Sequence, residues 1–405
     1  MKESLFAKLK RIHFGDIGHF FLFLIALLPA AVYRRRRKHL WLLCEYANEA
    51  QDNGFALFRH LRAHHPEIDA VYAIKRRSPA YGTVAEVGPV VNFGSLRHWI
   101  YYLAAEVNIS SQKAGKPNAA VCYLLEVVLG ILKNRRVFLQ HGVIKDDLPF
   151  LHEKNAKLSM FCTAAKPEYE FVRDTFGYAP GVVQYTGLCR FDALLDAEPE
   201  QDLVLILPTW RMWLERDCKT DAAFSESEFF RGWDAFLNDP ALDALLRERG
   251  MRAIFCVHRN VMRFETCFTS ASERIEVKRW NEVSVPDLIR RAAVLVTDFS
   301  SVFMDFAFMK KPIVYYQFDR ETYRKGHLPT GYFDYERDGF GPIAETVPDA
   351  VGALRSVIGN GCRMDARYEE RVDRFFTMRD SDSSERTTKA IKEMINRHGE
   401  NSEMV

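Results

Sequence analysis

Two histidines stand where strand-like runs end. RRVFLQ (135–140) leads into Gln140-His141-Gly142, and Ala253–Val257 leads into His258-Arg259-Asn260. Imidazole titrates nearest to neutral pH of all side chains, so it can take a proton from an attacking hydroxyl. Gly142 lets the backbone turn, or a ligand approach, directly after His141. A polar loop with Lys145, Asp146 and Asp147 follows. Either histidine alone also fits a structural role, bonded to a neighbouring carbonyl. Two of them at two strand ends are more telling than one.

Two further strand ends carry groups suited to phosphate. Leu207-Pro208-Thr209-Trp210 leads to Arg211. The planar guanidinium fork of Arg211 matches a diphosphate, or else stacks on Trp210 or Trp213 as packing. Val296-Thr297-Asp298-Phe299-Ser300-Ser301 closes another run and opens a helix expected over Val302–Met309, with Ser301 as its N-cap. Such a terminus offers free N–H groups and partial positive charge, and the Ser300 and Ser301 hydroxyls add donors. Asp298 would not meet a phosphate directly and is expected to order the loop. The chain has no G-x-G-x-x-G, Walker loop, H-E-x-x-H or G-x-S-x-G. Its D-x-D, Asp380-Ser381-Asp382, is a weak metal signal.

The elements that position these residues read as alternating strands and helices. Strands are expected at 39–46, 69–74, 89–93, 106–110, 135–140, 159–164 and 181–186, with helices at 55–64, 95–105, 119–132 and 167–176. The second half repeats the theme, with strands at 203–207, 253–257, 275–278, 294–297 and 313–316. Continuous apolar strands separated by helices predict parallel sheets covered on both faces. The chain has 405 residues, more than one core usually holds, and the polar stretch DAEPEQD (196–202) marks a boundary. The expected domains are 1–38, a membrane-associating segment; 39–196; and 203–396. Two such α/β domains would face a cleft, with chemistry beyond the carboxyl ends of the strands.

Residues 1–38 hold nine basic residues against two acidic ones, so this end carries +7 and the remainder −5. That asymmetry suggests an anionic membrane surface as partner and argues against a nucleic-acid-coating protein. Residues 4–14 form a basic amphipathic pattern. The following run, Phe20–Val32, is short for a bilayer span and contains Pro29. A hairpin or monotopic anchor is the reading that fits best, with a buried core helix or a tilted span as alternatives. The eight cysteines form no C-x-x-C pair, and several lie in apolar runs, which disfavours a zinc or disulfide framework.

Taken in order, Asp52-Asn53-Gly54, Gln140-His141-Gly142, Pro208–Arg211, Val257-His258, Thr297–Phe306, Gly331–Tyr335 and Glu385-Arg386 resemble the CDP-glycerol glycerophosphotransferase family of teichoic acid primases and polymerases. The Thr297–Phe306 block is the most specific. The resemblance implies an α/β fold of two Rossmann-like domains (GT-B type) with an amphipathic, membrane-associating N-terminal helical segment. It implies a CDP-activated donor, CDP-glycerol or CDP-ribitol, and a lipid-linked or polymeric glycan acceptor. It places the enzyme at the cytoplasmic face of the bacterial membrane.

By the same resemblance His141 is the catalytic base and His258 the second functional histidine. Arg211, Thr297, Asp298, Ser300 and Ser301 take the donor side, and Gly142, Lys145, Asp52 and Asn53 the acceptor side. These residues require no cofactor, although magnesium could assist the diphosphate. Val143-Ile144 and Arg259 depart from the family's usual Thr-Pro and Pro. The alternative with the same fold is a GT-B glycosyltransferase acting on a nucleotide sugar in capsule or other surface polysaccharide synthesis.

Overall fold

The computed structural model describes residues 14–196, 198–326 and 329–403. The basic pattern at 4–14 lies almost wholly outside them. The chain divides into two compact units. The first holds residues up to His141, 149–192 and 380 onward; the second holds 142–148 and 193–379.

The first unit opens with helix α1 (Phe14–Arg36), which continues through Pro29 instead of breaking there. Phe23, Ala26 and Ala30 form its buried stripe, at the i, i+3, i+7 spacing of one helix face. Strand β1 (Leu40–Cys44), helix α2 (Asn53–His64), β2 (Asp69–Ile74) and β3 (Val90–Asn92) follow. Helix α3 (Leu96–Ala104) then precedes β4 (Val107–Ser110), β5 (Arg136–Phe138), β6 (Met160–Thr163) and β7 (Val183–Tyr185). The seven strands run parallel in the order β3-β2-β1-β4-β5-β6-β7. The inner strands are almost uniformly buried, as a sheet covered on both faces requires, whereas the edge strands β3 and β7 are largely half-buried. Helix α1 packs on α3: Phe23 meets Trp99 edge-on at 5.7 Å, and Tyr33 stacks on Tyr101 at 4.9 Å.

The second unit contains β8 (Glu200–Leu207), β9 (Arg252–Cys256), β10 (Ile275–Lys278), β11 (Ala292–Thr297), β12 (Ile313–Tyr316) and β13 (Ile343–Ala344). The order is β10-β9-β8-β11-β12-β13, again parallel. Each sheet reverses its winding direction once, beside β1 and β4 in the first unit and beside β8 and β11 in the second. These switch points are where Rossmann-like sheets receive ligands.

The expected boundaries need two corrections. The break falls near residue 193, and β8 already begins at Glu200, inside the polar stretch read as linker. The second domain does not extend to 396. The final helix, Ser383–Glu403 (α4), belongs to the first unit, where Ile391 and Met394 enter its core. A covered apolar face decides which unit a helix joins, whatever its place in the chain.

Candidate functional site

In the first unit, His141 is presented on a held backbone. Gln140 adopts φ +63°, an uncommon conformation for a residue with a side chain. Its own amide donates to the Cys162 carbonyl at 2.6 Å and to Glu168 Oε1 at 3.0 Å. The Asn53 amide donates to the Gln140 carbonyl at 2.8 Å, and Asn53 Oδ1 accepts from the Arg190 N–H at 3.0 Å. Gln140 is thereby fixed on three sides while His141, next to it, is exposed.

Asn53, expected on the acceptor side, is fully buried and spends both ends of its amide on this clamp. Asp52 caps α2, accepting from the Asn53 N–H at 2.8 Å, and lies 3.4 Å from Arg190 Nη1. These two residues position the loop, Asn53 from full burial and Asp52 from a half-buried place. Glu45, which sequence reasoning missed, lies beneath them. It is buried and accepts from the backbone N–H groups of Gln51, Asp52 and Phe55. Burial, then the charge of Asp52, pushes its carboxyl up to about 8. A glutamate one residue after a strand gives no sequence sign that it will turn inward.

In the second unit the donor-side residues separate into two groups. Arg211 is wholly buried. It forks onto Asp319, Nε to Oδ2 at 2.7 Å and Nη2 to Oδ1 at 2.8 Å, and donates from Nη1 to the Thr209 carbonyl at 2.6 Å. Its Nη2 also lies 2.9 Å from Asp298 Oδ2, an ion pair whose angle makes no hydrogen bond. Phe229, Phe299 and Tyr323 surround the guanidinium. Burial opposes its charge, but Asp298 and Asp319 outweigh burial and hold its pKa above the ordinary value. A buried guanidinium needs such neutralisation. Arg211 therefore does not emerge as an open diphosphate ligand, which corrects the expectation.

Thr297 and Asp298 belong to the same brace. Thr297 Oγ1 donates to the Leu207 carbonyl at 2.6 Å, tying β11 to β8 at the switch point. Asp298 Oδ1 accepts from the N–H groups of Thr209 and Phe299, so Asp298 does order the loop. Burial raises its carboxyl pKa, against the pull of Arg211. Of the donor-side set, Ser300 and Ser301 are the half-exposed members. The helix behind them is short, Phe303–Phe308, and Val302 precedes it without a side-chain cap. Ser301 is thus not its N-cap; Ser300 Oγ instead accepts a long 3.4 Å bond from the Val302 N–H. All six helical residues are buried, so core packing sets the helix's position.

His258 is half-buried, and its Nδ1 accepts from the Asn260 N–H at 3.2 Å. Burial, then Arg259, lowers its pKa to about 4. Near neutral pH it is an uncharged imidazole, and with Nδ1 accepting from Asn260 its proton sits on Nε2. Trp210 lies near-parallel to its ring at 6.5 Å and Trp280 tilts against it at 5.7 Å. Lys145, expected on the acceptor side, is buried, paired with Asp146 and set over the Tyr335 ring. Gly142 is packed so that a Cβ would sit 3.0 Å from Ser301 Oγ.

The sequence model of the CDP-Glycerol:Poly(glycerophosphate) glycerophosphotransferase family matches residues 27–393. The chain belongs to this family. The minor teichoic acid biosynthesis protein GgaB of Bacillus subtilis (strain 168) is 30% identical over 375 residues, which cover 89% of this chain and 40% of GgaB. The teichoic acid poly(glycerol phosphate) polymerase of the same strain is 23% identical over 84% of this chain and 46% of its own length. The chain thus spans less than half of these curated relatives. A solved structure of the wall teichoic acid polymerase TagF, soaked with CDPG, superposes with TM-score 0.64 at 15% identity, covering 94% of this chain and 99% of that one. This likeness bears out the expected class, two Rossmann-like α/β units of the GT-B type.

The Gly331–Tyr335 block, by which the chain resembles the glycerophosphotransferase family, is a packing device. A Cβ on Gly331 would lie 2.3 Å from the Lys145 carbonyl, so only glycine fits there. Tyr335 packs edge-on against Phe299, and Asp334 caps the short helix that follows it.

Proposed function

We propose that this glycerophosphotransferase-family chain moves glycerol phosphate from CDP-glycerol to a hydroxyl of a lipid-linked or polymeric cell-surface glycan. The acceptor oxygen attacks the β-phosphorus, the bond from that phosphorus to the bridging oxygen breaks, and CMP leaves. The acceptor proton passes to His141, because an alcohol is a weak nucleophile near neutral pH. CMP departs as a phosphate that needs no protonation but does need its charge balanced. The half-exposed set of the second unit suits the donor: Ser300 and Ser301 hydroxyls for phosphate oxygens, and the His258 Nε2–H as a neutral donor. The Arg211–Asp298–Asp319 brace keeps that loop in shape. Ribitol phosphate in place of glycerol phosphate needs no change in these roles.

The observation that carries this reading is the family match across residues 27–393. CDPG soaked into the related polymerase supports the choice of donor.

Helix α1 supports a peripheral place at the cytoplasmic face of the membrane. At 23 residues it is long and apolar enough to cross a bilayer. Yet one stripe is covered by α3, which suits a helix lying in the interface better than one surrounded by lipid. Phe21, Ile25 and Leu28 are exposed on its other side at 60%, 57% and 77%. Arg35, Arg36 and Lys38 remain exposed for anionic headgroups, whereas Arg37 is paired with Asp69 at 2.5 Å.

The test is a donor panel of CDP-glycerol, CDP-ribitol and UDP- or CMP-sugars on a lipid-linked acceptor, with nucleotide release and product mass measured. CMP release and a mass gain of one or more glycerol phosphate units are expected. Transfer from a nucleotide sugar alone would replace this reading with a glycosyltransferase.

A further inference from the structure

At the end of α2, two imidazoles converge on one carboxylate. His60 Nε2 lies 2.9 Å from Glu385 Oε2, and His65 Nε2 lies 2.8 Å from the same oxygen. Glu385 comes from the first turn of α4, 325 residues beyond His60. The three ligand atoms lie within 4.8 Å of one another. We propose that His60, His65 and Glu385 form a binding site for a divalent transition-metal ion, zinc by preference, which staples α4 to α2. This site goes beyond the transfer reaction and does not depend on it.

Three observations carry the assignment. The first is geometry. Zinc takes nitrogen at ~2.0–2.1 Å and carboxylate oxygen at ~2.0–2.2 Å, so tetrahedral ligands stand roughly 3.3 Å apart. The observed 2.8 and 2.9 Å separations need only a few tenths of an ångström of opening.

The second is the carboxylate behind His65. His65 Nδ1 lies 3.2 Å from Glu67 Oε1. A metal-ligating histidine usually donates its other N–H to such a carboxylate, which fixes the tautomer. With Nδ1–H given to Glu67, the Nε2 lone pair of His65 faces the Glu385 oxygen at 2.8 Å. The same contact is otherwise closed by a proton on His65 Nε2, which a bound ion would displace. Lys392 Nζ, 2.8 Å from Glu67 Oε1 and 3.2 Å from His65 Nδ1, offsets the charge of Glu67.

The third is access. His60 and His65 keep 20% and 14% of their side chains exposed and Glu385 keeps 53%, so an ion and a water can enter. His64 lies beside His60, ring centroids 4.9 Å apart, but outside the cluster, so water would supply the remaining ligand. Two nitrogen ligands favour zinc over magnesium or calcium, which prefer oxygen.

The test is cobalt(II) titration of the full chain, purified without a polyhistidine tag and stripped with EDTA, followed by melting with and without zinc. One cobalt per chain is expected, with the intense visible absorption of four- or five-coordinate cobalt displaced by zinc, and zinc should raise the melting temperature. His65→Gln combined with Glu385→Gln should abolish both effects, and Glu67→Gln should weaken binding about 10–100-fold. A wild-type titration showing only the pale spectrum of hydrated cobalt, or a zinc effect unchanged in the double variant, would overturn the site. The wild-type arm decides even if a variant fails to fold.

Discussion

Asn53 reaches across the first unit's sheet to hold Gln140: its amide donates to the Gln140 carbonyl at 2.8 Å, 87 residues away in sequence. That carbonyl belongs to a residue at φ +63°, immediately before the exposed His141. Asn53→Ala would leave the Gln140 carbonyl and the Arg190 N–H unpaired in a buried place. The expected cost is ~1–3 kcal/mol of stability. Turnover should fall further than stability alone explains, because the backbone carrying His141 loses its restraint. Urea unfolding beside kcat measurement checks this; a destabilised variant with wild-type kcat would show that the clamp is structural only.

Arg211 gives a different kind of prediction. Arg211→Met leaves Asp298 and Asp319 buried without their cation, and breaking a buried pair in this way costs about 3–5 kcal/mol. Arg211→Lys keeps the charge but not the fork onto Asp319, so it should rescue only part of the loss. Thermal unfolding should register the change in both variants. A folded Arg211→Met chain with wild-type melting and a raised KM for donor would instead mark Arg211 as a direct ligand.

Acid sensitivity should come partly from His98. It is fully buried beneath α1, with Nδ1 accepting from the Gly94 N–H at 3.0 Å. Burial, then the charge of His19, lowers its pKa to about 3. In the unfolded chain it titrates near ~6.5. Between those values the unfolded state binds the extra proton, so stability is full above the upper value and falls as pH drops toward the lower one. His98→Asn, whose Oδ1 can still accept from Gly94, should flatten this slope. Denaturant midpoints at several pH values, wild type against variant, provide the check; identical slopes would assign the sensitivity elsewhere.

The exposed face of α1 predicts behaviour with lipid. Ile25→Glu combined with Leu28→Glu should release the chain from anionic vesicles in a flotation assay. The melting temperature should stay unchanged, because the buried stripe of Phe23, Ala26 and Ala30 is untouched. Undiminished flotation would remove α1 from the membrane contact.

Much of this fold was legible because it is written locally. Strands β2, β10 and β12 fall on the expected residues, β2 and β12 through near-continuous apolar runs and β10 through the alternation of Ile275 and Val277 with Glu276 and Lys278. Strand β13, two residues long, carries no such signal, and α4 gives no hint that it returns to the first unit. The candidate site was legible as a set of strand ends and not as a set of exposed groups. Arg211, Thr297 and Asp298 stand at the switch point, where ligands bind, but their partners are Asp319 and Leu207, about a hundred residues away. Sequence places a residue at a strand's end; whether its side chain turns outward or braces the loop depends on such distant partners. Trp210 and Trp280, flanking His258, were hidden for the same reason.

The most direct measurement is CMP release from CDP-glycerol by wild type and His141→Ala on a lipid-linked acceptor, with donor binding followed separately. Wild type should release CMP and extend the acceptor by glycerol phosphate. His141→Ala should bind donor normally and turn over ~10²–10⁴-fold more slowly, the usual effect of losing a positioned base. No CMP release from the wild type, or near-wild-type turnover by the folded variant, would contradict the account.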